Sequence, residues 1–419
     1  MAIRVGYACL ALAVPGTQMR SCRLRTLTQK KVSVITAENL SALERLIQYN
    51  IKSEIKVFRI SSDLVPFGSS PANTFPWRIV FSETLHRLGA LIADNDLRVS
   101  MHPGQYTVLN SPDREVVDRA ILDLEYHNAI LDRLETDAKS KIVLHLGGIY
   151  GDKTAAQNRF VGNFKRLSPA VQRRLVLEND ERSYNIAEVL EVAQRIGVPA
   201  VFDNLHHALN PPAQKLRNSA WVDRCASTWK HSDGRQKVHY SQQSANGKPG
   251  AHSRTIAIDS FIEDMAPLAG RSLDVMLEVK DKNLSAIKCM LCLTEDPGID
   301  ALELEWSRYK YAVLEHSQVH YQQIRSLLKD KTAYPAVAFY NLVQSALERP
   351  VDSGGAANAA MHVWGYFKKT ASAKSKDEFE RILKGYMAGR VPLERLKRLL
   401  YKHADACHEN YLLQSYYFI

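Results

Sequence analysis

Six short apolar runs in this chain close on an imidazole or a carboxylate side chain. They read RVSMH, KIVLHL, RLVLEN, PAVFDN, QKVHYS and DVMLEV, and helical patterns fill the gaps between them. A buried strand that ends in such a residue delivers it to one rim of a parallel sheet. Lone pairs that converge there without cations would be costly to bury, so the pattern predicts bound metal ions. The candidate ligands are His102, His145, Glu178, Asp203, His206, His239, His252 and Glu278.

Strands and helices are predicted to alternate strictly along the first 298 residues. The strand candidates are Arg4–Ala8, Lys56–Ser61, Arg98–His102, Lys141–Leu146, Arg174–Glu178, Pro199–Asp203, Gln236–Ser241 and Asp274–Val279. Helical periodicity is clearest over residues 115–134 and also fits Glu38–Tyr49, Phe81–Asn95, Asn185–Ile196 and Ile256–Leu268. Eight such units favour an α/β fold, a (β/α)8 TIM barrel, over an open sheet. In that barrel the site lies at the C-terminal strand ends, where the candidate ligands fall.

The character of the sequence changes after a Pro-Gly turn near Glu295–Asp300. Residues 299–419 read as tyrosine-rich helices, so we expect a separate all-α domain behind a barrel of residues 1–298. The stretch ERPVDSGGAAN inside it is predicted to be a turn. His316, His320 and His362 are expected to pack between helices rather than to bind metal.

Composition excludes several classes and favours a polyanionic partner. The 419 residues are 45% hydrophobic and 24% charged, as in soluble globular proteins, and carry a net charge of +10. Six irregularly spaced cysteines suit a reducing cytoplasm, and no apolar run is long enough to span a membrane. Six basic residues and no acidic one precede Glu38, among them Arg20, Arg23 and Arg25. We expect these residues to form either a solvated loop or a phosphate-binding surface.

The candidate ligands, five histidines and three acids without a cysteine, suit Zn²⁺ or Mn²⁺. They exceed what a single tetrahedral site can use, whereas two or three ions sharing bridging carboxylates would use them all. Such a cluster generates hydroxide at neutral pH and stabilises the attacking and leaving oxygens of phosphoryl transfer.

The segment HPGQYTVLNSP (102–112) adds a second kind of signal. We expect Pro103-Gly104 to make a sharp turn, after which Gln105 and Tyr106 project over the site. An amide beside an aromatic ring can stack on a base and occupy its vacated hydrogen-bonding position, as a wedge that opens a duplex must. The alternative is a loop that packs on itself.

Ten segments together resemble the ultraviolet damage endonuclease family. In chain order they are GYAC, RISSDLVPF, MHPGQYTVLNSPD, LEYH, IVLHLGG, VLEND, VFDNLHH, KVHYS, GAHS and DVMLEVKDK, within residues 3–293. The resemblance implies a TIM barrel of the endonuclease IV and xylose isomerase type with a cluster of up to three manganese ions. It also implies incision immediately 5′ to cyclobutane dimers, 6-4 photoproducts and some other lesions, including abasic sites.

Residue by residue, the resemblance assigns the eight candidate ligands to the metal cluster, with Glu178 as a bridging carboxylate. It places Lys237 beside the cluster, so that Glu178, Lys237 and Glu278 form the expected catalytic set. Gln105 and Tyr106 match a pair that probes the duplex, and Tyr7 matches a residue that flanks the damaged dinucleotide. One departure is Ser70 or its neighbour, where the family usually has a histidine; a hydroxyl is a poorer metal ligand.

The C-terminal part resembles an uncharacterised helical domain, a resemblance that names no chemistry. It rests on YKYAVLEHSQVHY, VWGYFKK, VPLERLKRLL and NYLLQSYYF. Residues 301–419 contain 17 Lys/Arg against 12 Asp/Glu, which predicts some non-specific affinity for DNA.

The sequence therefore predicts a metal-dependent DNA repair endonuclease, a hydrolase that flips the damaged dinucleotide and leaves a 3′-hydroxyl and a 5′-phosphate. The cofactor is expected to be two or three divalent ions, Mn²⁺ with Zn²⁺ or Mg²⁺ as alternatives. We expect a cytoplasmic monomer that binds damaged double-stranded DNA and no membrane. The alternatives are a metal-dependent sugar isomerase on the same barrel and a catalytically silent DNA-binding protein.

Overall fold

Eight parallel strands form one sheet in the computed structural model, which describes residues 3–419. The strands are β1 Ile3–Ala8, β2 Val57–Arg59, β3 Arg98–Ser100, β4 Ile142–His145, β5 Leu175–Glu178, β6 Ala200–Asp203, β7 Gln236–Tyr240 and β8 Leu273–Leu277. Their order is β3-β2-β1-β8-β7-β6-β5-β4. A parallel bridge between Met101 and Ile142 joins the two ends, so the sheet curves into a nearly closed barrel. The predicted (β/α)8 TIM barrel is confirmed.

Helices follow the strands around this barrel. They are α1 Gln29–Lys52, α2 Trp77–Val80, α3 Ser82–Asp94, α4 Arg114–Arg133, α5 Lys153–Phe164, α6 Pro169–Arg174, α7 Ile186–Ile196, α8 Asn204–Leu209, α9 Asn218–Ala226, α10 Ile258–Met265 and α11 Asn283–Leu293. Local chemistry sets their ends. In α7, Asn185 and Glu188 form a capping box, and Gly197 ends the helix in the left-handed region at φ 74°.

The strands are buried along almost their whole length, as expected when helices cover a barrel whose interior is packed. Gly6 shows how closely they approach. A Cβ on Gly6 would lie 2.0 Å from the carbonyl oxygen of Val57, its register partner on β2, so this position of β1 admits no side chain.

Differences from the predicted boundaries are confined to element ends and to the gaps without clear periodicity. Helix α1 begins at Gln29 rather than at Glu38, because the Thr28 hydroxyl caps it by accepting a bond from the Lys31 amide. Lys30 and Lys31 are therefore helical. The sequence did not predict α2, α11, the helices between β4 and β5 or those between β6 and β7, whose lengths run from four residues in α2 to twelve in α5.

Buried charges lie at the N-terminal ends of the strands. The Asp274 carboxylate is fully buried and accepts hydrogen bonds from Arg4 Nε at 2.8 Å and Arg98 Nη1 at 2.7 Å; Arg235 Nε lies at 3.1 Å. Burial raises the pKa of Asp274, but Arg4 and Arg98 outweigh it and hold the pKa below its usual range. One carboxylate thus neutralises part of the charge of three guanidinium groups.

The residues divide into two compact units. The first holds the described residues up to Ala11 with Gly16–Ile256 and Glu263–Met290, and the second holds Leu12–Pro15, Ala257–Ile262 and Leu291–Ile419. The second is helical, and the helices from residue 299 onward are α12 Ile299–His316, α13 Gln318–Leu327, α14 Ala336–Leu347, α15 Ser353–Trp364, α16 Ala373–Met387, α17 Leu393–Ala406 and α18 Asn410–Leu413.

The turn predicted at ERPVDSGGAAN is only half correct, because α15 begins inside it at Ser353. The Asp352 carboxylate caps that helix through the Gly355 amide. A Cβ on Gly355 would lie 2.8 Å from the carbonyl oxygen of Leu314 on α12, so the glycine permits the close crossing of the two helices. His320 bonds to Ser317 and Ser345, and the His362 ring stacks on Tyr311, so these residues serve helix packing.

Candidate metal centre

Glu178 lies at the centre of the predicted ligand set. It is the last residue of β5, and 1% of it is exposed. Its Oε2 is 3.0 Å from His102 Nε2 and 3.5 Å from His145 Nε2, and its Oε1 is 2.6 Å from His239 Nδ1. Because the three histidines come from β4, β7 and the loop after β3, the parallel strands have brought them to one rim of the barrel.

Asp203 and His206 approach Glu178 from the next strand end. Asp203 closes β6, and its Oδ1 caps α8 by accepting a bond from the His206 amide at 2.7 Å. His206 Nδ1 lies 2.9 Å from the carbonyl oxygen of Asn179 and 3.9 Å from Glu178 Oε1. The cap therefore orients the imidazole toward the carboxylate.

Glu278 forms the second focus of the cluster, one residue beyond β8. Its Oε1 is 3.3 Å from His239 Nδ1, and its Oε2 is 3.8 Å from His252 Nε2. Arg59, the last residue of β2, donates from Nη1 to Oε1 at 2.5 Å. All eight predicted ligands are thus connected by separations of 3.9 Å or less.

The cluster perturbs the acidity of its members. Burial would raise the pKa of Glu178, but His239 and His145 outweigh it and hold that pKa well below its usual range. Burial, with Glu178 and Glu278 nearby, raises the pKa of Asp203 to about 6. Burial would lower the pKa of His206, but Asp203 and Glu178 raise it to about 9. Burial lowers the pKa of His102.

Two groups of side chains present ligand atoms that all lie within 4.8 Å of one another, namely His102–His145–Glu178 and Glu178–Asp203–His239. Buried atoms His145 Nδ1, Asp203 Oδ2 and His239 Nε2 have no hydrogen-bond partner among the described residues. An unsatisfied buried polar atom costs about 1–3 kcal/mol, whereas imidazoles and carboxylates are ligands of divalent ions. The donor set therefore fits a metal centre, and Glu178 belongs to both groups.

Lys237 lies two residues before His239 on β7, so both side chains belong to the same face of the strand. Its Nζ is buried and has no hydrogen-bond partner in the described part of the chain. Burial and the positive charge of Arg98 hold the pKa of Lys237 well below its usual range.

Gln105 and Tyr106 are exposed, Tyr106 to 72%. They occupy the two central positions of a turn closed by a hydrogen bond from the Thr107 amide to the Gly104 carbonyl oxygen at 2.9 Å. The turn is thus centred on these two residues, and not on the predicted Pro103-Gly104, because it is the Gly104 carbonyl that accepts the closing bond.

The four other residues predicted to contact DNA differ in their exposure. Tyr7 is fully buried and packs edge-on against Phe58 at 5.3 Å, so the structure does not place it on a surface that DNA can reach. Arg20, Arg23 and Arg25 are exposed, and Arg20 is paired with Glu38 at 2.5 Å.

Ser70 does not enter the cluster. Its hydroxyl oxygen accepts a bond from the Ala72 amide at 3.2 Å within a turn. The cluster is therefore built from the eight predicted ligands without a contribution from this position in the described contacts.

Sequence reasoning missed two residues of the site. Arg59 ends a strand as several candidate ligands do. A guanidinium does not bind metal ions, however, so a search for acceptor side chains at strand ends did not include it. Asn179 follows Glu178, and its carbonyl oxygen and Oδ1 hold His206 and the Asp203 amide. The signal for both was their place at a strand end.

A parallel barrel with histidines and carboxylates converging at its C-terminal rim defines a barrel protein built around a candidate metal centre. Residues 3–307 match the family described as UV-endonuclease UvdE. The chain belongs to this UV-endonuclease family.

Curated relatives agree with that assignment. The chain is 37% identical over 403 residues to the UV DNA damage endonuclease of Clostridium perfringens (strain 13 / Type A), covering 94% of this chain and 96% of the relative. It is 32% identical over 320 residues to that of Bacillus cereus (strain Q1), covering 73% of this chain and all of the relative. The structure of SacUVDE matches with a TM-score of 0.66 at 35% identity, covering 70% of this chain and 98% of that one. A DNA endonuclease is therefore supported over a sugar isomerase.

Residues 310–419 match a second family, described as a protein of unknown function (DUF1722). The resemblance noted for the C-terminal helices is thereby confirmed, and it assigns no activity. Among residues 3–419, none of the helices has the length and apolar character required to cross a membrane.

Proposed function

We propose that this protein is a metal-dependent endonuclease that hydrolyses the phosphodiester immediately 5′ to ultraviolet photoproducts and some other lesions. The products would be a 3′-hydroxyl and a 5′-phosphate. The observation that carries the proposal is the convergence of eight candidate ligands, with Glu178 and Glu278 at their centre, at the carboxyl ends of the strands in a chain of the UV-endonuclease family.

The proposed cofactor is two or three divalent ions, with Mn²⁺ the favoured species and Zn²⁺ or Mg²⁺ as alternatives. When bound, they would supply a hydroxide nucleophile at neutral pH and neutralise charge developing on the phosphate oxygens. Glu178 would bridge them, because its two oxygens face different sets of neighbours: Oε2 faces His102 and His145, and Oε1 faces His239.

Glu178, Lys237 and Glu278 form the proposed catalytic set. The low pKa of Glu178 keeps its carboxylate ionised and ready to bind cations at neutral pH. Arg59 fixes the orientation of Glu278. Burial and the positive charge of Arg98 hold the pKa of Lys237 well below its usual range, so the protonated form of its amine is disfavoured beside the cluster.

Lesion recognition is assigned to the exposed turn that carries Gln105 and Tyr106. A lesion weakens stacking, so flipping the damaged dinucleotide costs least there, and a wedge inserted into the duplex can fill the space left behind. Arg20, Arg23 and Arg25 would contact phosphates of the damaged duplex. We extend the proposal to a monomer acting in the cytoplasm, where the thiols of the six cysteines remain reduced.

The test is nicking of irradiated and untreated supercoiled DNA, with Mn²⁺ and with a chelator. The wild-type protein should nick irradiated DNA in Mn²⁺ alone, whereas Glu178→Gln and His145→Ala should bind DNA without nicking it. Glu44→Gln, a change on the outer helix α1, is the matched control and should nick normally. Full nicking by the Glu178 variant, or turnover of an aldose without DNA, would refute the proposal.

The wedge is tested separately with Gln105→Ala combined with Tyr106→Ala. Because both side chains are exposed, the double variant should keep its thermal stability and lose preference for irradiated over untreated DNA. Retention of full lesion preference would remove these residues from the proposed recognition set.

A further inference from the structure

The loop that carries Gln105 and Tyr106 is anchored on both sides of its exposed turn. At the turn itself, the Tyr106 ring folds back over Gly104, where a Cβ would lie 2.4 Å from Tyr106 Cε1. Glycine at this position therefore lets the exposed aromatic ring rest against the backbone. The ring lies against the backbone of Gly104 on one side, and 72% of the residue is exposed.

The first anchor joins the end of the turn to α4. Thr107 is 2% exposed, and its Oγ1 donates to Asp123 Oδ2 at 2.6 Å. Asp123 is itself 3% exposed. A buried hydroxyl-to-carboxylate bond of this length is charge-assisted and stronger than a bond between neutral groups.

The second anchor lies on the other side of the turn. The Ser62 hydroxyl oxygen, in the loop after β2, is 3.1 Å from the His102 carbonyl oxygen and 2.9 Å from His127 Nε2. The His127 ring is fully buried on α4, and its Nδ1 lies 2.6 Å from the Asp123 carbonyl oxygen. A neutral ring donates from Nδ1 to that carbonyl, and the single hydroxyl proton of Ser62 then serves Nε2 or the His102 carbonyl in turn.

Tyr126, the neighbour of His127 in the LEYH segment, completes the same attachment. Its hydroxyl donates to the Ser62 carbonyl oxygen at 2.9 Å and accepts from the Val65 amide at 3.1 Å. One turn of α4 therefore binds the loop after β2 and the loop after β3 together. LEYH is part of the resemblance to the UV-endonuclease family, yet none of its side chains enters the metal centre.

Helix α5 holds the far end of the loop. Asn163 Nδ2 donates to the Leu109 carbonyl oxygen at 2.8 Å, and Arg159 Nε donates to the Asn110 carbonyl oxygen at 2.9 Å. The exposed pair is thus the unsupported apex of a loop whose flanks are buried and bonded.

We propose that Thr107, Asp123 and His127 are positioning residues that hold the Gln105–Tyr106 turn ready to enter the duplex and so set the discrimination between damaged and intact DNA. The inference rests on the proposed function for what the turn does, but the anchoring is a property of the protein alone. A wedge that is ordered before it meets DNA loses less conformational entropy on insertion than a mobile one. Weakening the anchor should therefore reduce binding most at a lesion, where insertion of the wedge into the duplex is favourable.

The variant that tests this is Thr107→Val, which keeps the shape of the side chain and removes its hydroxyl. Chymotrypsin cleaves after Tyr106 when the loop opens, and the variant should be cut there about tenfold faster than wild type, relative to cleavage at all other sites. Thr107→Ser, which restores a hydroxyl, should return the rate toward wild type. Thr136→Val is the matched control, since it removes a threonine hydroxyl bonded to the Leu131 carbonyl oxygen away from the loop.

The second readout is the ratio of kcat/KM on irradiated to untreated DNA, measured with Mn²⁺-loaded protein. In Thr107→Val this ratio should fall about tenfold, chiefly through KM on irradiated DNA, with the Mn²⁺ content unchanged. Thr136→Val should leave the ratio as in wild type.

The outcomes separate the two proposals. Cleavage after Tyr106 at the wild-type relative rate in Thr107→Val, or a uniform rise at every site, overturns the positioning role whatever happens with DNA. Faster cleavage with an unchanged kcat/KM ratio overturns it as well. A wild-type protein that nicks no irradiated DNA counts against the proposed function alone, because the proteolysis still reports on the anchor.

Discussion

If the proposed metal centre forms, we expect Arg59 to compete with its cations for Glu278, and replacing Arg59 should make metal binding tighter. Arg59 Nη1 lies 2.5 Å from Glu278 Oε1, and the two side chains are 14% and 12% exposed. In the metal-free protein this guanidinium is the main counter-charge of the carboxylate, and it holds the pKa of Glu278 below its usual range against the effect of burial. A cation bound by Glu278 would neutralise the carboxylate in place of Arg59.

The size of the effect follows from the two states. Breaking a buried ion pair by removing one partner costs about 3–5 kcal/mol, because the other charge is left uncompensated. In the metal-loaded state the ions neutralise Glu278, and Arg59→Met loses one charge-assisted hydrogen bond, about 1.5–3 kcal/mol. The difference is about 2 kcal/mol, and by linkage the variant should bind Mn²⁺ about 30-fold more tightly than wild type.

The assay is calorimetric titration of Mn²⁺ into chelator-treated protein, with urea unfolding of the free and loaded forms. Arg87→Met is the control, since Arg87 is a more exposed arginine that pairs with Glu44 on α1. It should leave the Mn²⁺ affinity unchanged. Equal or weaker Mn²⁺ binding by Arg59→Met would show that Arg59 does not oppose the ions at this carboxylate.

Three further outcomes are expected. Metal-free protein should lose stability as pH rises from about 6.5 to 9. Asp203 and Glu178 raise the pKa of His206 to about 9 in the folded protein, so the stabilising charge of His206 is fully present below the unfolded-state pKa and is lost as pH rises through the folded-state pKa. The urea midpoint in chelator should fall over that range, and a flat profile would contradict this expectation. Asp274→Asn should destabilise the fold by about 3–5 kcal/mol in urea unfolding, because three arginines lose their shared carboxylate; a loss under about 1 kcal/mol would be inconsistent with that network. Arg23→Gln with Arg25→Gln should lower the salt slope of DNA binding by about 2, and an unchanged slope would remove both from the DNA interface.

The barrel could be predicted from the sequence because buried parallel strands produce a recognisable series of short apolar runs. Strands such as RLVLE and PAVFD are apolar between their end residues, which marks them as parallel strands covered on both faces, and the gaps between the strands are long enough for helices. Element ends were less predictable, since they depend on single capping bonds. The start of α1 at Gln29 depends on the Thr28 hydroxyl, and the start of α15 on the Asp352 carboxylate.

The clustering of the candidate ligands was predictable for the same reason: in a parallel barrel, a residue at the carboxyl end of a strand places its side chain at one rim. What could not be predicted is a role that depends on a residue distant along the chain but adjacent in the structure. Arg59 becomes part of the site only because Glu278, 219 residues later in the chain, lies beside it. The burial of Tyr7 depends likewise on Phe58, its register partner on β2.

The barrel separates charge along its axis, and that separation explains why a positive charge is disfavoured on Lys237 but kept on Arg59. Parallel strands place Arg4 and Arg98 near one end and the acceptor cluster at the other. On β7, Lys237 is in register with Asp274 of the arginine network, and His239, two residues further on, belongs to the cluster. Burial and the positive charge of Arg98 hold the pKa of Lys237 well below its usual range, which disfavours the protonated form of its amine. Arg59 cannot respond in this way, because a guanidinium keeps its proton in proteins. Of these two residues, Arg59 therefore keeps a fixed positive charge beside Glu278 that would oppose an entering cation, whereas a positive charge on Lys237 is disfavoured.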